Sequence, residues 1–278
     1  MQFQYPVVQE LFKKDFRISR EVISEIKALD LAVEADLLQI IDDALQNTDY
    51  YEELEASEGG FAPLHAILLL REIKSTKILP KILEMLRGDI LEMDRLFSPD
   101  FLIEEVWSYI AHLGQNQLKD FKEILFEGNA DVYARTAIST GLAQMALHHP
   151  KYAEKVFDVF DKLLDFILSE ESLEYLDNKE GIFGDEPDYD ADIEFISNFA
   201  CDLLDLDYTE KRKELEALFE NGLIDEEILE ESKAVFKRNQ MKSRDIFEIY
   251  TDWEISEKTA TEEDDDDEDE PKIKKMKD

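Results

Sequence analysis

Apolar residues recur at the spacing of an α-helix along most of this chain, and this periodicity constrains its fold. From near the start to about Tyr250 they fall at positions i, i+3 or i+4, and i+7, which places them on one helical face. The stretch from Leu64 to Ile73 is apolar on most sides, as is typical of a buried helix. Only 9 of the 278 residues are glycine, which favours helix over sheet. The sequence therefore predicts an all-α fold.

The predicted helices group into pairs, and the pairs recur. The first helices of successive pairs begin near Pro63, Pro99, Asp131 and Asp190, at steps of 36, 32 and 59 residues. A two-helix unit that recurs every ~30–45 residues is typical of an α-solenoid of the HEAT type, because one hairpin cannot bury its apolar face alone. An irregular helical bundle is the alternative. We expect one HEAT-like domain of stacked helical hairpins at 1–255.

Two polar segments interrupt or follow the helical pattern. The longest step contains an insertion at 169–190 that combines turn residues with acidic ones, so we expect a long loop or an acidic flap there. The segment 256–278 is a block of acidic residues followed by a lysine-rich tip. Its composition predicts a disordered tail.

The net charge limits the partners that this chain can bind. Its 68 acidic and 31 basic residues give a formal charge of −37, which would repel a nucleic-acid backbone or an anionic membrane. Residues 171–256 hold 26 acidic and 9 basic residues, a net charge of −17. Residues 61–170 hold 17 and 12, a net charge of −5. We therefore expect a basic protein partner to bind the C-terminal half.

Cysteine usage and the length of apolar runs indicate a cytoplasmic protein. Cys201 is the single cysteine, so the sequence predicts neither a disulfide framework nor a cysteine zinc site. Its position in an apolar stripe predicts a place in the core. The first residues lack the pattern of a secretory signal, and the longest apolar run, from Ala66 to Leu70, is far shorter than a membrane span.

The histidines and one arginine have structural interpretations. His65 opens the predicted buried helix, and we expect it to be a packed core residue. His148 and His149 stand at a predicted helix end, where a histidine interacts favourably with the negative end of the helix dipole; metal binding is the alternative. Arg135 follows Asp131 by four residues, a spacing that predicts an ion pair on one helix face.

The densest group of oxygen ligands lies within 185–192. Asp188, Asp190 and Asp192 match the first three alternating ligands of a calcium loop, but Ile193 stands where the turn requires glycine and Phe199 where the bidentate glutamate belongs. We expect a solvated flap that caps the following helix. The alternative is a weak divalent-ion site with the candidate ligands Asp185, Asp188, Asp190 and Asp192. The candidate partner-binding residues are Glu186, Asp188, Asp190, Asp192 and Glu194.

Four short segments stand out in order along the chain: Pro63-Leu64-His65-Ala66 with Leu68 to Glu72 behind it, Gly88-Asp89-Ile90, Asn129 to Asp131 with Tyr133 and Arg135, and Asn221-Gly222-Leu223-Ile224-Asp225. Taken together, they resemble a bacterial family known as domain of unknown function 1186. The similarity covers roughly residues 20–240, and the resemblance implies a helical-repeat protein with no assigned activity. Some relatives in that family carry a cysteine-rich zinc-binding segment at the C-terminus, whereas this sequence has no cysteine after Cys201.

The sequence predicts no catalytic residue and no cofactor. It has neither the nucleophile elbow of hydrolases nor a glycine-rich phosphate-binding loop. The leading hypothesis is a non-enzymatic scaffold for protein–protein interaction that binds a basic partner through its acidic C-terminal half. The alternatives are a metal-assisted hydrolase that uses the cluster at 185–192, a mimic of nucleic acid, and a charge that serves only solubility.

Overall fold

The part of the protein that the structure describes is all-helical, as the sequence predicts. A computed structural model describes residues 1–54, 58–88, 90–97, 101–127, 130–183, 188–225 and 239–255, and these ranges contain no β-strand. The predicted disordered tail at 256–278 lies outside the described residues. So does the helix start predicted near Pro99.

The α-helices are numbered here in chain order. They are α1 (Arg20–Ala28), α2 (Glu34–Gln46), α3 (Thr48–Glu52), α4 (Ala62–Glu72), α5 (Leu79–Arg87), α6 (Ile90–Leu96), α7 (Phe101–Glu104), α8 (Val106–Leu113), α9 (Leu118–Phe126), α10 (Val132–His148), α11 (Ala153–Ile167), α12 (Glu170–Asp177), α13 (Tyr189–Asp205), α14 (Arg212–Glu220) and α15 (246–255). Short 3₁₀ turns include Pro6–Phe12, Asp30–Val33, Thr76–Ile78, Pro150–Tyr152 and Thr209–Lys211.

Local capping signals set several helix starts. The Ser19 hydroxyl accepts an N–H from the first turn of α1, and the Asp131 carboxylate does the same for α10. Pro63 occupies the first turn of α4, where its missing N–H has no intrahelical partner to lose. Before α15, the Asp245 carboxylate accepts N–H groups of the first turn while Glu248 accepts the Asp245 N–H at 2.8 Å. This reciprocal pair is a capping box.

Five helices lie side by side in chain order. α2 packs against α4, α8 packs against α10, and α10 packs against α13. A hydrogen bond joins α4 to α8, in which the Tyr109 hydroxyl donates to the Ile67 carbonyl at 2.9 Å. A second set lies beside them, in which α5 packs on α8 and α9, and α9 packs on α10 and α11.

Helix α4 is the most completely buried element. Every residue from Ala62 to Arg71 is buried, which confirms the prediction of a core helix here. Trp107 on α8 is also buried. Among the described helices, we find none that combines the length and the apolar composition needed to span a membrane.

The C-terminal described segment returns to the N-terminal helices. Residues 239–245 are non-helical and lead into α15, whose Ile246 and Ile249 are fully buried. The Tyr250 hydroxyl contacts Nδ1 of His65 on α4, and the Trp253 ring packs edge-on against Phe16. The core of the first helices is therefore completed by residues from the other end of the described chain.

Close packing of α8 on α10 depends on Gly141. A Cβ atom at this position would lie 2.6 Å from Cβ of Ile110, which is closer than packed carbon atoms approach. We expect Gly141→Ala to lower the free energy of unfolding in urea by about 1–3 kcal/mol, even though alanine raises helix propensity by about 1 kcal/mol.

Two further variants test this assignment to overpacking. In Gly88→Ala the nearest atoms lie at 3.5 Å, so we expect a change within about 0.5 kcal/mol. Adding Ile110→Ala to Gly141→Ala should give less destabilisation than the sum of the single variants, because the new methyl then fills the vacated space. Strict additivity would contradict this account of the α8–α10 contact.

Candidate functional site

The acidic insertion predicted at 169–190 contains a helix rather than only a loop. Ser169 caps α12 by accepting the Ser172 N–H at 3.1 Å, and Glu170 and Glu171 stand in the first turn, where carboxylates favour the positive helix end. Leu176 is buried against the core. The expectation of a long loop is wrong for this half of the insertion, because Ser169 caps the helix and both Leu173 and Leu176 pack against the core.

Helix α12 presents an unneutralised acidic face. Four of its eight residues are acidic and exposed, and the helix contains no basic residue. Among the described residues, no lysine or arginine lies within ion-pair distance of them. The negative potential of this face is therefore available to an external cation. The four residues are Glu170, Glu171, Glu174 and Asp177.

An open cavity of about 690 Å³ adjoins this face. Its lining includes the acidic residues Glu171 and Glu180 and the exposed Tyr175, together with the apolar residues Phe166 and Ile182. Lys179 also lines the cavity, and its amine lies 4.8 Å from the Tyr189 ring centroid. A long cationic side chain fits such a wall, because its stem packs on apolar surface while its charged end meets a carboxylate.

Asp192 has a structural role that excludes it from direct partner contact. It is 2% exposed, and its carboxylate accepts the N–H groups of Ile182 and Phe183, the latter at 3.1 Å. Burial raises its pKa, although both amides and the nearby Arg135 favour the charged form. The proposal of Asp192 as a partner-binding residue is therefore wrong, because its oxygens hold the 181–183 segment on α13.

The other acidic candidates separate into different environments. Asp188 caps α13 by accepting the N–H groups of Asp190 and Ala191, as predicted for the flap. Asp190 is exposed and Glu194 is half-buried. The remaining candidates, Asp185 and Glu186, lie outside the described residues.

Metal-ligand geometry is missing from the described ranges. No group of three or more His, Cys, Asp or Glu side chains there is arranged to hold a metal ion. Two of the proposed ligands, Asp188 and Asp192, instead direct oxygens to different backbone amides.

Arg135 departs from its predicted ion pair with Asp131. Its Nη2 donates to the Glu127 carbonyl at 2.7 Å, and its guanidinium lies 4.7 Å from the Phe183 ring centroid. Asp131 is occupied as the cap of α10. Arg135 thus connects α10 to the inserted segment, a contact that the spacing of four residues does not reveal.

His65 is the packed core residue that the sequence predicts. It is fully buried, and its Nε2 hydrogen-bonds to the Lys14 carbonyl at 3.0 Å. Burial lowers its pKa to about 4, so the ring is neutral at physiological pH.

The other histidines form one cluster at the end of α10. The ring of His112 lies 4.7 Å from that of His148 and 6.0 Å from that of His149, centroid to centroid. Burial, together with these two neighbours, lowers the pKa of His112 to about 4. Burial also lowers the pKa of His149, which opposes the charged form that a helix-dipole interaction needs. The burial of His149 therefore opposes the dipole interpretation, which stays a prediction.

Cys201 and Asp202 of α13 differ in their burial. Cys201 is half-buried and packs against the core, so its predicted core position is met only in part. Asp202 is buried and accepts the Ser139 hydroxyl at 2.6 Å. Sequence reasoning missed Asp202, although its position one helical turn after Phe199 places it on the buried side.

No protein-family model, curated protein or solved structure matches this chain. The resemblance to domain of unknown function 1186 therefore stays a prediction.

Asp202 gives the stability a defined pH dependence. Burial raises its pKa to about 7, whereas an unfolded aspartate titrates near its ordinary value of 3.8. Between pH 3.8 and about pH 7 the folded state therefore keeps a proton that the unfolded state has lost. The stability that this proton provides is lost as the pH rises through 7. We expect Asp202→Asn, which cannot ionise, to raise the free energy of unfolding at pH 8 by about 2–4 kcal/mol.

The measurement is urea unfolding at several pH values. Near pH 4.5 the variant and the wild type should differ by less than about 1 kcal/mol, because the native carboxyl is then neutral as well. The exposed Asp190→Asn serves as the control and should show no such divergence. An equal effect of Asp202→Asn at both pH values would contradict the titration of this buried group.

Asp192 should anchor the inserted segment. We expect Asp192→Ala to lower the free energy of unfolding by about 2–3 kcal/mol, because two amides lose their acceptor and the Arg135 charge loses a nearby opposite charge. Hydrogen exchange should accelerate selectively at the Ile182 and Phe183 amides. Unchanged protection of those two amides would show that Asp192 does not hold the segment.

Proposed function

We propose that this chain is a non-enzymatic helical-repeat scaffold that binds a basic protein partner through α12. The repeat arrangement is supported by the row α2, α4, α8, α10 and α13, whose members pack in chain order. Stacked helical units expose extended surfaces that suit protein recognition. The site lies within the acidic C-terminal half, where residues 171–256 carry a net charge of −17.

The observation that carries this proposal is the acidic face of α12 beside the cavity. Four exposed carboxylates have no cationic partner among the described residues, and the adjoining wall offers both carboxylates and apolar surface. A Lys or Arg side chain of a partner is recognised by this combination. Complementary charge also accelerates the encounter over about a Debye length, roughly 8–10 Å.

Neutralising α12 should remove the interaction. The variant carries Glu170→Gln, Glu171→Gln, Glu174→Gln and Asp177→Asn, which retain the size of each side chain. In affinity capture from a host lysate followed by mass spectrometry, we expect recovery of basic proteins to fall by at least about fivefold relative to the wild type. Proteins captured by the wild type should be released by added salt.

A matched control changes the same amount of charge elsewhere. It carries four exposed glutamates converted to glutamine in the N-terminal part of the chain, and it should capture the same proteins as the wild type. Equal capture by the α12 variant and this control would contradict the proposal and favour a charge that serves solubility. The control substitutions are Glu21→Gln, Glu25→Gln, Glu53→Gln and Glu58→Gln.

A further inference from the structure

A non-helical segment, residues 239–245, crosses the row of helices, and we refer to it as the strap. Its Asn239 N–H donates to the Asp205 carbonyl of α13 at 3.2 Å. Farther along, the strap meets α10 and then the α7–α8 junction, and it ends at α4. It therefore runs across the helices in the direction opposite to their chain order.

Gln144 of α10 binds the strap through main-chain atoms. Its Nε2 donates to the Asn239 carbonyl at 2.9 Å, and its Oε1 accepts the Met241 N–H at 2.8 Å. Gln144 is fully buried, and within the described ranges both ends of its amide bond only to the strap. The strap lies in a groove whose wall includes Gln144. Without the strap, the buried Gln144 amide would lack hydrogen-bond partners, which is unfavourable.

The bonded residues alternate along the strap. Nε2 of His148, four residues after Gln144 on the same face of α10, donates to the Met241 carbonyl at 2.9 Å. Both main-chain groups of residues 239 and 241 are thus bound. The intervening side chains are exposed and make only surface contacts, from Gln240 Nε2 to Nδ1 of His148 at 2.9 Å and from the Lys242 amine to Glu248 of α15 at 2.6 Å. Alternation with a period of two is how an extended chain presents itself to a surface. Farther on, Nη2 of Arg71 donates to the Arg244 carbonyl at 2.7 Å.

One strap side chain is recognised by charge. The Arg244 guanidinium contacts Glu104, Glu105 and Asp252, with its Nε 3.0 Å from Oε1 of Glu105. Glu105 also pairs with the buried Arg71, so its charge keeps a partner when Arg244 leaves. Removal of the strap is therefore compatible with the buried ion pair beneath it.

We propose that this groove, lined by Gln144, His148, Arg71, Glu104 and Glu105, binds extended protein segments that carry an arginine, and that the strap occupies it in cis. Recognition of main-chain groups gives affinity with little dependence on sequence, and the carboxylates select the arginine. A tethered segment acts at an effective concentration of the order of millimolar. The strap therefore raises the apparent dissociation constant of any external segment.

The test uses the strap sequence itself as the probe. A fluorescein-labelled peptide of residues 239–245 is titrated into the full chain and into a variant in which residues 239–244 are replaced by alternating glycine and serine. Fluorescence anisotropy should show binding to the variant about tenfold tighter than to the wild type, because the replaced strap keeps its main-chain groups but has lost the Arg244 guanidinium. Absence of binding to the folded variant, or equal binding to both chains, would overturn the proposal.

Changes in the peptide locate the contact without altering the protein. Replacing the Met241 amide by an ester removes the N–H that Gln144 accepts, and we expect affinity to fall about fivefold. The same change at Lys242 and the substitution Lys242→Ala should each alter affinity by less than about twofold, since the Lys242 side chain is exposed and its ion pair with Glu248 is a surface one, which contributes little. Peptide Arg244→Ala should weaken binding about tenfold. An equal response to both esters would rule out main-chain recognition by Gln144.

Two further measurements distinguish binding in this groove from binding at α12, and a detachable strap from one that is a fixed part of the core. The α12 variant should bind the peptide as the wild type does; loss of binding there would assign the peptide to the acidic face of α12 and overturn the groove. If the strap variant does not fold, hydrogen exchange of the wild type decides. The Met241 amide should exchange at least about tenfold faster than the Ile249 amide of α15, because a cis ligand detaches locally. Equal exchange rates would show that the strap is a fixed part of the core.

Discussion

The buried guanidinium of Arg71 holds together three parts of the chain that lie far apart in sequence. Its side chain is 5% exposed, and it pairs with the Glu105 carboxylate, which is 3% exposed. The same arginine donates to the Ser108 hydroxyl at 2.9 Å and to the Arg244 carbonyl. Removing one member of a buried ion pair leaves an uncompensated charge, which is strongly destabilising. This cluster therefore fixes α4 against the start of α8, and the Arg244 carbonyl of the strap supplies one further acceptor to it.

Local signals were sufficient to predict much of the helical framework. Ser19, Pro63 and Asp131 lie at helix starts because capping and proline geometry depend on neighbours in sequence. Helix α12 was missed for a related reason, since its acidic residues resemble a solvated loop unless the buried Leu176 is recognised. Periodicity is a weak guide when only one or two residues of a short helix reach the core.

The roles of Asp192, Arg135 and Gln144 could not be predicted, because their partners are set by tertiary packing. Gln144 bonds to atoms of residues 95 and 97 positions away, and no spacing rule predicts such contacts.

A charge count from the sequence has a similar limit, since it treats every carboxyl as exposed and ionised. Burial raises the pKa of Asp192, Asp202 and Asp205, so part of the acidity at 171–256 lies inside the protein. Helix α12, by contrast, places its acids at the surface.

The return of α15 to α4 also fixes the order in which the molecule can be completed. His65 meets Tyr250 across 185 positions, and Arg244 meets Glu105 across 139. Units that contact only their neighbours can fold one after another as the ribosome releases them. Here the first helices obtain their last core partners only after residue 250 has emerged. A chain that stops before α15 therefore lacks a finished core at its N-terminal end, far from the position of the truncation.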